Sequence, residues 1–509
     1  MNAEVRSPCP GDGQSAGPNS WCPTQAQLFF ALAIYFAVQL VVRKLISTST
    51  HLDESEQLIL TQTWALGYGP QPPLYTWIQK LFFSAFGVSI LSLALVKNLL
   101  LFLIYALAYW NARFITRSHP CGLVAAASMV FIPQISWEAQ RDLTHSVLAC
   151  VFSLAALALF CRAVESRKPS DYLAFGICIG LGSLSKYNFL LSVGGLLLAA
   201  LTLKNLRGAI LNRKMLLAAV IGLLIFLPHG VWMVDHWQVA SSSSSKFAVQ
   251  NSGHWLGTTA RGLANLLVAS VGFVLPVVGI LGFVFFRARP SPVEISSRAD
   301  FVPLLTRMLA IIMTLVAVCV IFLHITNFRG RWFQAILVVV PILLATQVRS
   351  RLEASRLKLL VGCSLFVAGL VLILLPGRIV FGETLRHEEP LHFPYAALAA
   401  QMKDSLRPET VVVTQDHVLA GNLRLALQPR RVVTTESMDE LRPDPQHLAF
   451  VWSLRKAETA PTALTDCAEK MGTVDWSQAK HVSADYLYYR RKRGTLAFVV
   501  MDRSQQPNR

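Results

Sequence analysis

Charge is what this chain has least of. Only 15% of its 509 residues are Asp, Glu, Lys or Arg, against about 25% in ordinary soluble domains, and 53% are hydrophobic. That balance excludes a soluble globular protein. Acidic residues are scarcer still, 29 against 46 basic ones. The cations are spread over alternate loops rather than gathered into a stripe, which reads as an insertion signal and implies no nucleic-acid partner. The nine cysteines do not form a disulfide framework; Cys9 and Cys22 have neither zinc-ligand spacing nor His partners and read as incidental. No internal repeat is evident, which counts against transporters built from repeated, interrupted helices. No cofactor is expected. Asp53 and Asp142 could share a divalent cation, but no dense ligand spacing demands one.

Long apolar runs are what the chain does have. They lie at roughly 26–46, 91–112, 121–137, 143–161, 171–185, 187–203, 215–234, 262–286, 308–324, 332–347 and 359–376, each near the length a bilayer requires. The expected fold is an α-helical polytopic membrane protein of about eleven spans. Cations set its orientation. Arg113 and Arg117, Arg162 to Lys168, Lys204 to Lys214, Arg287 to Arg307 and Arg349 to Lys358 follow alternate spans, on the side the positive-inside rule makes cytoplasmic. The loop after the first span, the 229–261 loop and the C-terminal segment are thereby expected outside. Arg43 and Lys44 break the rule, as snorkelling side chains or as a phosphate contact.

Three parts follow. Residues 1–25 are polar and rich in Pro and Gly, so no cleavable signal peptide is expected and a disordered cytoplasmic tail is. Residues 26–376 form the membrane domain, with an outer loop at 47–90. Residues 377–509 have soluble composition, and 411–415, 430–435, 447–453 and 495–502 read as short buried strands alternating with helices near 394–405 and 460–471. A small outer α/β domain is expected there. The serine run 241–245 reads as a linker or as a flexible lid.

The outer loop holds the most informative stretch, HLDESEQLILTQTWALGYGPQPPLYTWIQ at 51–79. Asp53 and Glu54 stand some seven residues past Ile46, at headgroup depth, where an ionisable cluster suggests function. Gly67 to Pro70 mark a break, and 74–87 reads as an amphipathic interfacial helix.

GYGPQPPLYTW and GLGSLSKYNFLL (180–191), with the acidic pair after the first span and the Pro72-Pro73-Leu74 element, resemble C-type membrane glycosyltransferases of the protein O-mannosyltransferase and aminoarabinose transferase superfamily. The likeness is nearest to the bacterial enzymes that decorate lipid A or lipopolysaccharide core, galacturonosyltransferases included. It implies a polyprenyl-phosphate-sugar donor, a lipid A or lipopolysaccharide acceptor, and a multi-pass bacterial inner-membrane protein whose active site and C-terminal domain are periplasmic. It also implies that Asp53 is catalytic and that Lys186 meets the donor phosphate; Glu54, the second catalytic candidate, either orients Asp53, touches the sugar or is merely solvated. Tyr187 and Gln71 are further substrate-binding candidates.

Other residues carry two readings each. Glu138, Arg141, Asp142 and His145, in WEAQRDLTH, would share one face of a helix; Asp142 is either the family's second acid or half of a self-neutralising pair with Arg141. Arg329 and Arg331, in HITNFRGRW, could complete a phosphate clamp, and Lys97 with Arg141 and Arg329 would suit a uronic acid donor. His229, His236 and His254 lack metal spacing and read as acceptor contacts or plain surface; His324 carries no firmer reading. The expected activity is inverting sugar transfer. A protein hydroxyl acceptor is the near alternative, and a lipid or sugar transporter the one of another class.

Overall fold

The computed structural model describes residues 21–242, 255–288, 298, 300–440 and 445–503; the first twenty residues of the expected tail, most of the serine run and His254 lie outside the described residues. Among the described residues, seven helices are long and apolar enough to cross a membrane: Gln25–Ile46, Ile90–Thr116, His145–Ser166, Arg213–Asp235, Trp255–Phe285, Phe301–Leu323 and Ala354–Val380. An eighth arises if His119–Phe131 and Gln134–Arg141, bent by 69°, count as one span. Helix therefore covers every expected run, but not all as single crossings. The runs at 171–185 and 187–203 fall on helices of 15 and 14 residues, Pro169–Ser183 and Phe189–Thr202. The run at 332–347 is broken into Gln334–Leu337 and Val340–Gln347. Proline explains two of these interruptions: Pro133 sits at the 69° bend and Pro341 near the start of Val340–Gln347, where the ring cannot continue the preceding hydrogen-bond ladder.

The chain divides into two compact units. One takes the chain up to Ala37 with Ala65–Tyr75 and Lys97–Val371; the other takes Val38–Trp64, Thr76–Val96 and everything from Leu372 on. Within the first, His145–Ser166 and the part of Ile90–Thr116 from Lys97 on are largely buried and form the interior, whereas Arg213–Asp235, Trp255–Phe285 and Phe301–Leu323 are largely uncovered and turn Leu, Val and Phe outward. An outward apolar surface of that kind is what lipid solvates. Helix Pro169–Ser183 lies against Arg213–Asp235 through Gly176, where a Cβ would stand 2.5 Å from the Ala218 carbonyl oxygen. Small residues allow such close helix approach.

The second unit holds a five-stranded sheet of order β2-β1-β3-β5-β4, from β1 (Val411–Thr414), β2 (Val432–Thr434), β3 (His447–Ser453), β4 (Lys480–Asp485) and β5 (Arg493–Asp502). β1 is parallel to β2 and β3; β5 is antiparallel to β3 and β4. Side chains alternate between two cores. Val412, Ala449 and Val451 join Leu398, Met402, Leu419 and Leu423 on one face, and Val413, Leu448 and Phe450 join Leu464 and Ala468 on the other. Ile59, from the helix Leu52–Leu60, is part of the first core. So the acidic loop's helix is packed as a piece of the α/β unit.

The close approach at Gly176 makes a direct prediction. Gly176→Ala should destabilise the detergent-solubilised protein by about 1–3 kcal/mol through overpacking, seen as a lower melting temperature. Gly194→Ala, with no heavy atom within 4 Å of the new methyl, should be neutral or slightly stabilising.

Candidate active site

Asp53 sits in the first turn of the helix Leu52–Leu60, half-buried, where unpaired backbone N–H groups favour negative charge. Its neighbour Glu54 is only 1% exposed. Arg43, from the last turn of Gln25–Ile46, donates to Glu54 Oε2 at 2.7 Å and Oε1 at 3.4 Å, and to the carbonyls of Ser47 and Ser49 at 3.1 and 2.9 Å. Arg43 is therefore neither a snorkelling side chain nor a phosphate ligand here: it is the partner that lets Glu54 be buried as an anion. The His51 backbone N–H also donates toward Glu54 Oε2, at 3.4 Å.

The turn before Asp53 is tied to the C-terminal residues. Ser47 Oγ donates to the Leu391 carbonyl at 2.7 Å and Ser49 Oγ to that of Phe393 at 2.8 Å. The Thr50 N–H donates to Asn422 Oδ1 at 2.8 Å, and Thr50 and Ser55 share a hydroxyl bond of 2.6 Å. Gly421 then lets the helix His417–Ala426 approach so closely that a Cβ there would lie 2.4 Å from Ser55 Cα. His51 Nε2 stands 3.6 Å from Glu389, which Arg378 and His387 hold at 2.9 and 2.8 Å. None of these partners carried a sequence signal.

A second constellation forms within the other unit. Lys186 and Tyr187 lie in the short break between Pro169–Ser183 and Phe189–Thr202, and Lys186 Nζ donates to Ser146 Oγ at 2.6 Å. Tyr187 meets His229 Nε2 at 3.0 Å, while His229 Nδ1 meets the Leu66 carbonyl at 2.7 Å. Nδ1–H thus donates to Leu66, leaving Nε2 to accept from the tyrosine. Asn188 Nδ2 reaches the Trp332 carbonyl at 2.8 Å, and Gln334 Nε2 the Gln134 carbonyl at 2.6 Å. The Leu74 N–H bonds the Leu184 carbonyl at 3.0 Å, so the Gln71-Pro72-Pro73 turn runs beside the same break. The segments bearing Gln71, Lys186, Tyr187, Arg329 and Arg331 are thereby brought together; Arg329 is exposed and Arg331 half-buried.

Two expectations fail. Glu138, Arg141, Asp142 and His145 do not share one helical face, because a π-helical turn Gln134–Glu138 runs into a short turn ending at Arg141, Asp142 leaves helical geometry, and a new helix starts at His145. His145 is buried beside Tyr75, ring centroids 5.3 Å apart. His229 is not surface: it lies inside the helix Arg213–Asp235 at 1% exposure, because that helix continues well into the expected 229–261 loop. Lys97 is buried in Ile90–Thr116, and its neighbour Asn98 accepts from Gln140 at 2.9 Å. Among the described residues, no three His, Cys, Asp or Glu side chains gather to hold a metal ion.

Comparison with known proteins adds four findings. The family described as dolichyl-phosphate-mannose-protein mannosyltransferase matches residues 70–232. The chain is 30% identical over 478 residues to lipopolysaccharide core galacturonosyltransferase RgtB of Rhizobium johnstonii, covering 91% of this chain and 94% of that protein. It is 31% identical over 445 residues to lipopolysaccharide core galacturonosyltransferase RgtA of the same organism, covering 85% and 88%. Among solved structures its fold is similar to that of ArnT from Cupriavidus metallidurans bound to undecaprenyl phosphate, with TM-score 0.61 at 15% identity over 93% of this chain and 98% of that one.

Removing one member of the buried pair leaves the other charge stranded. Arg43→Met should cost about 3–5 kcal/mol, read as a fall in melting temperature, whereas the double variant Arg43→Met/Glu54→Leu should recover most of that loss. A double variant no more stable than Arg43→Met would show that the two side chains are not coupled.

Proposed function

The chain belongs to the C-type membrane glycosyltransferases of the protein O-mannosyltransferase and aminoarabinose transferase superfamily, alongside the lipopolysaccharide-core galacturonosyltransferases, and from that premise we propose that it transfers one sugar, with inversion, from a polyprenyl-phosphate carrier to lipid A or lipopolysaccharide core. The names of RgtA and RgtB favour galacturonic acid as that sugar and the core as its acceptor. The reaction belongs at the periplasmic face of the bacterial inner membrane, where the positive-inside count puts the Asp53 turn and the α/β unit. Counting the three short or broken helical runs as crossings gives the eleven spans this topology uses.

The observation that carries the reading is the asymmetry of the acidic pair. Glu54 is spent on Arg43, which fixes the turn, and Asp53 stands beside it half-buried in the first helical turn. In the step we propose, the acceptor hydroxyl oxygen attacks the anomeric carbon, Asp53 takes the hydroxyl proton, and the carbon–oxygen bond to the carrier breaks. The carrier leaves as polyprenyl phosphate. Because the donor is already activated, the protein has to hold the anion, align the acceptor and remove one proton. Lys186 is the cation assigned to the donor phosphate, with Arg329 and Arg331 on the segment that Asn188 ties to the same break; such charge-assisted contacts suit phosphate and a uronic acid carboxylate alike. Glu54 orients the turn and does not react.

Deletion of the gene should remove one hexuronic acid from lipopolysaccharide, as read by mass spectrometry of lipid A and core; unchanged glycolipid would sink the acceptor assignment. Asp53→Asn should lower transfer by about 10²- to 10⁴-fold, the usual contribution of a general base, in membranes with equal protein levels. A variant of full activity would remove Asp53 from the chemistry. Lys186→Met should weaken binding of the polyprenyl-phosphate donor while leaving the protein folded, and unchanged donor affinity would return Lys186 to a purely structural bond with Ser146.

A further inference from the structure

The segment YLYYRRKR, 486–493, is pinned where the first and last long helices of the membrane part end. Tyr488 donates its hydroxyl to the carbonyl of Ile46, the final residue of Gln25–Ile46, at 2.8 Å. The Arg490 N–H donates to both carboxylate oxygens of Glu383, at 3.2 and 3.3 Å, and Tyr489 Oη to the His387 carbonyl at 3.2 Å, just beyond Ala354–Val380. All of these residues belong to one compact unit. Tyr488 and Arg386 are held at φ 63 and 51, a left-handed backbone that such residues adopt rarely. The hydrogen bonds therefore hold this loop at the depth where two spans leave the apolar layer.

Two of the loop's cations are committed. Lys492 pairs with Glu388, which also binds Arg455 at 2.9 Å, and Arg493 pairs with Asp485 at 3.2 Å. Burial pushes the Glu388 carboxyl up, but hydrogen bonds from Lys492 and Tyr486 and the charge of Arg455 outweigh it and hold the group below its ordinary value. Lys44, Arg386, Arg490 and Arg491 are different: all four are exposed, and among the described residues none enters an ion pair. Beside Arg386 the same turn exposes Phe381 and Leu385. Cations interleaved with exposed apolar side chains at the end of a span match a surface that enters the headgroup layer and attracts anionic lipid. A loop seated on the outer face should instead be poor in Lys and Arg, since these residues mark the cytoplasmic side.

We propose that Lys44, Arg386, Arg490 and Arg491 form a docking surface for a membrane lipid with an anionic, phosphate-bearing headgroup, the class to which the proposed acceptor belongs. The proposal rests on the reading that this face of the protein lies outside and meets a glycolipid, and it adds a place for that lipid's headgroup apart from the Asp53 turn. Exposed guanidinium and ammonium groups would hold the phosphate by charge, while Phe381 and Leu385 keep the loop in contact with the acyl boundary.

The test uses full-length protein in a neutral detergent, titrated with dioctanoyl phosphatidylglycerol or dioctanoyl phosphatidylcholine and followed by native mass spectrometry. Wild type should bind the anionic lipid at least about a hundredfold more tightly, since each cation near an anionic surface contributes about fivefold. The triple variant Arg386→Gln/Arg490→Gln/Arg491→Gln should lose on the order of a hundredfold in that affinity. The corresponding triple Lys variant should keep it, because charge rather than a planar fork is what is required. Equal affinity in wild type and the Gln variant, no preference between the two lipids in wild type, or displacement of phosphatidylglycerol by an equal concentration of inorganic phosphate would each overturn the proposal. Asp53→Asn protein should bind phosphatidylglycerol like wild type. Transfer lost with lipid binding intact, or lipid binding lost with transfer chemistry intact, therefore distinguishes failure of this surface from failure of the catalytic reading.

Discussion

The burial of one carboxylate organises the reactive turn. Glu54 could not be held as an anion at 1% exposure without a cation in contact, and Arg43 supplies it at 2.7 Å from the last turn of Gln25–Ile46. A buried ion pair of this kind adds little net stability, because desolvation offsets attraction, but it tolerates only one geometry. What it specifies is the chain's path from the end of that helix into Leu52–Leu60. The same guanidinium takes up the Ser47 and Ser49 carbonyls, so the turn that precedes Asp53 has few backbone groups left to reorganise. Rigid support of this kind is what a positioned base requires.

The rest of the second unit extends that restraint. Ile59 is buried among residues of the sheet and its helices, and the Thr50 N–H ends on Asn422. The sheet supplies no reacting group to this picture. Its contribution is a stiff surface against which a short helix, too short to be stable alone, acquires a fixed position.

In the other unit the same economy operates through breaks in helices. Irregular backbone is tolerated at membrane depth only where its polar groups find partners inside the protein. The break at 185–188 meets that condition through the Leu74 N–H on the Leu184 carbonyl and Ser185 Oγ on that of Gly182, and the bend after Phe131 through Gln334 on the Gln134 carbonyl. Each replaces missing helical bonds with bonds from elsewhere in the unit, and at the first break the side chains of Lys186, Tyr187 and Asn188 are left to meet Ser146, His229 and the Trp332 carbonyl. Membership of the glycosyltransferase family accounts for the general chemistry; these local bonds account for where the side chains stand.

Composition alone determined that the chain is a helical membrane protein, because apolar runs of bilayer length admit few other structures. Local pattern also determined the acidic turn, the polar break at Lys186 and four strands of the sheet, since 411–415, 430–435, 447–453 and 495–502 are β-branched and apolar against polar surroundings. β4, Lys480–Asp485, was not legible: it is a polar edge strand, and pairing with β5 rather than its own periodicity makes it a strand. Hydropathy also ran across the bend at Pro133, because one proline does not interrupt an apolar average. Only the tertiary structure decided that Arg43 belongs to Glu54, that His229 faces Tyr187, and that Asn422 holds Thr50. Those partners lie 11 to 372 residues apart, and a hydrogen bond across such a separation depends on packing that no local window of sequence contains.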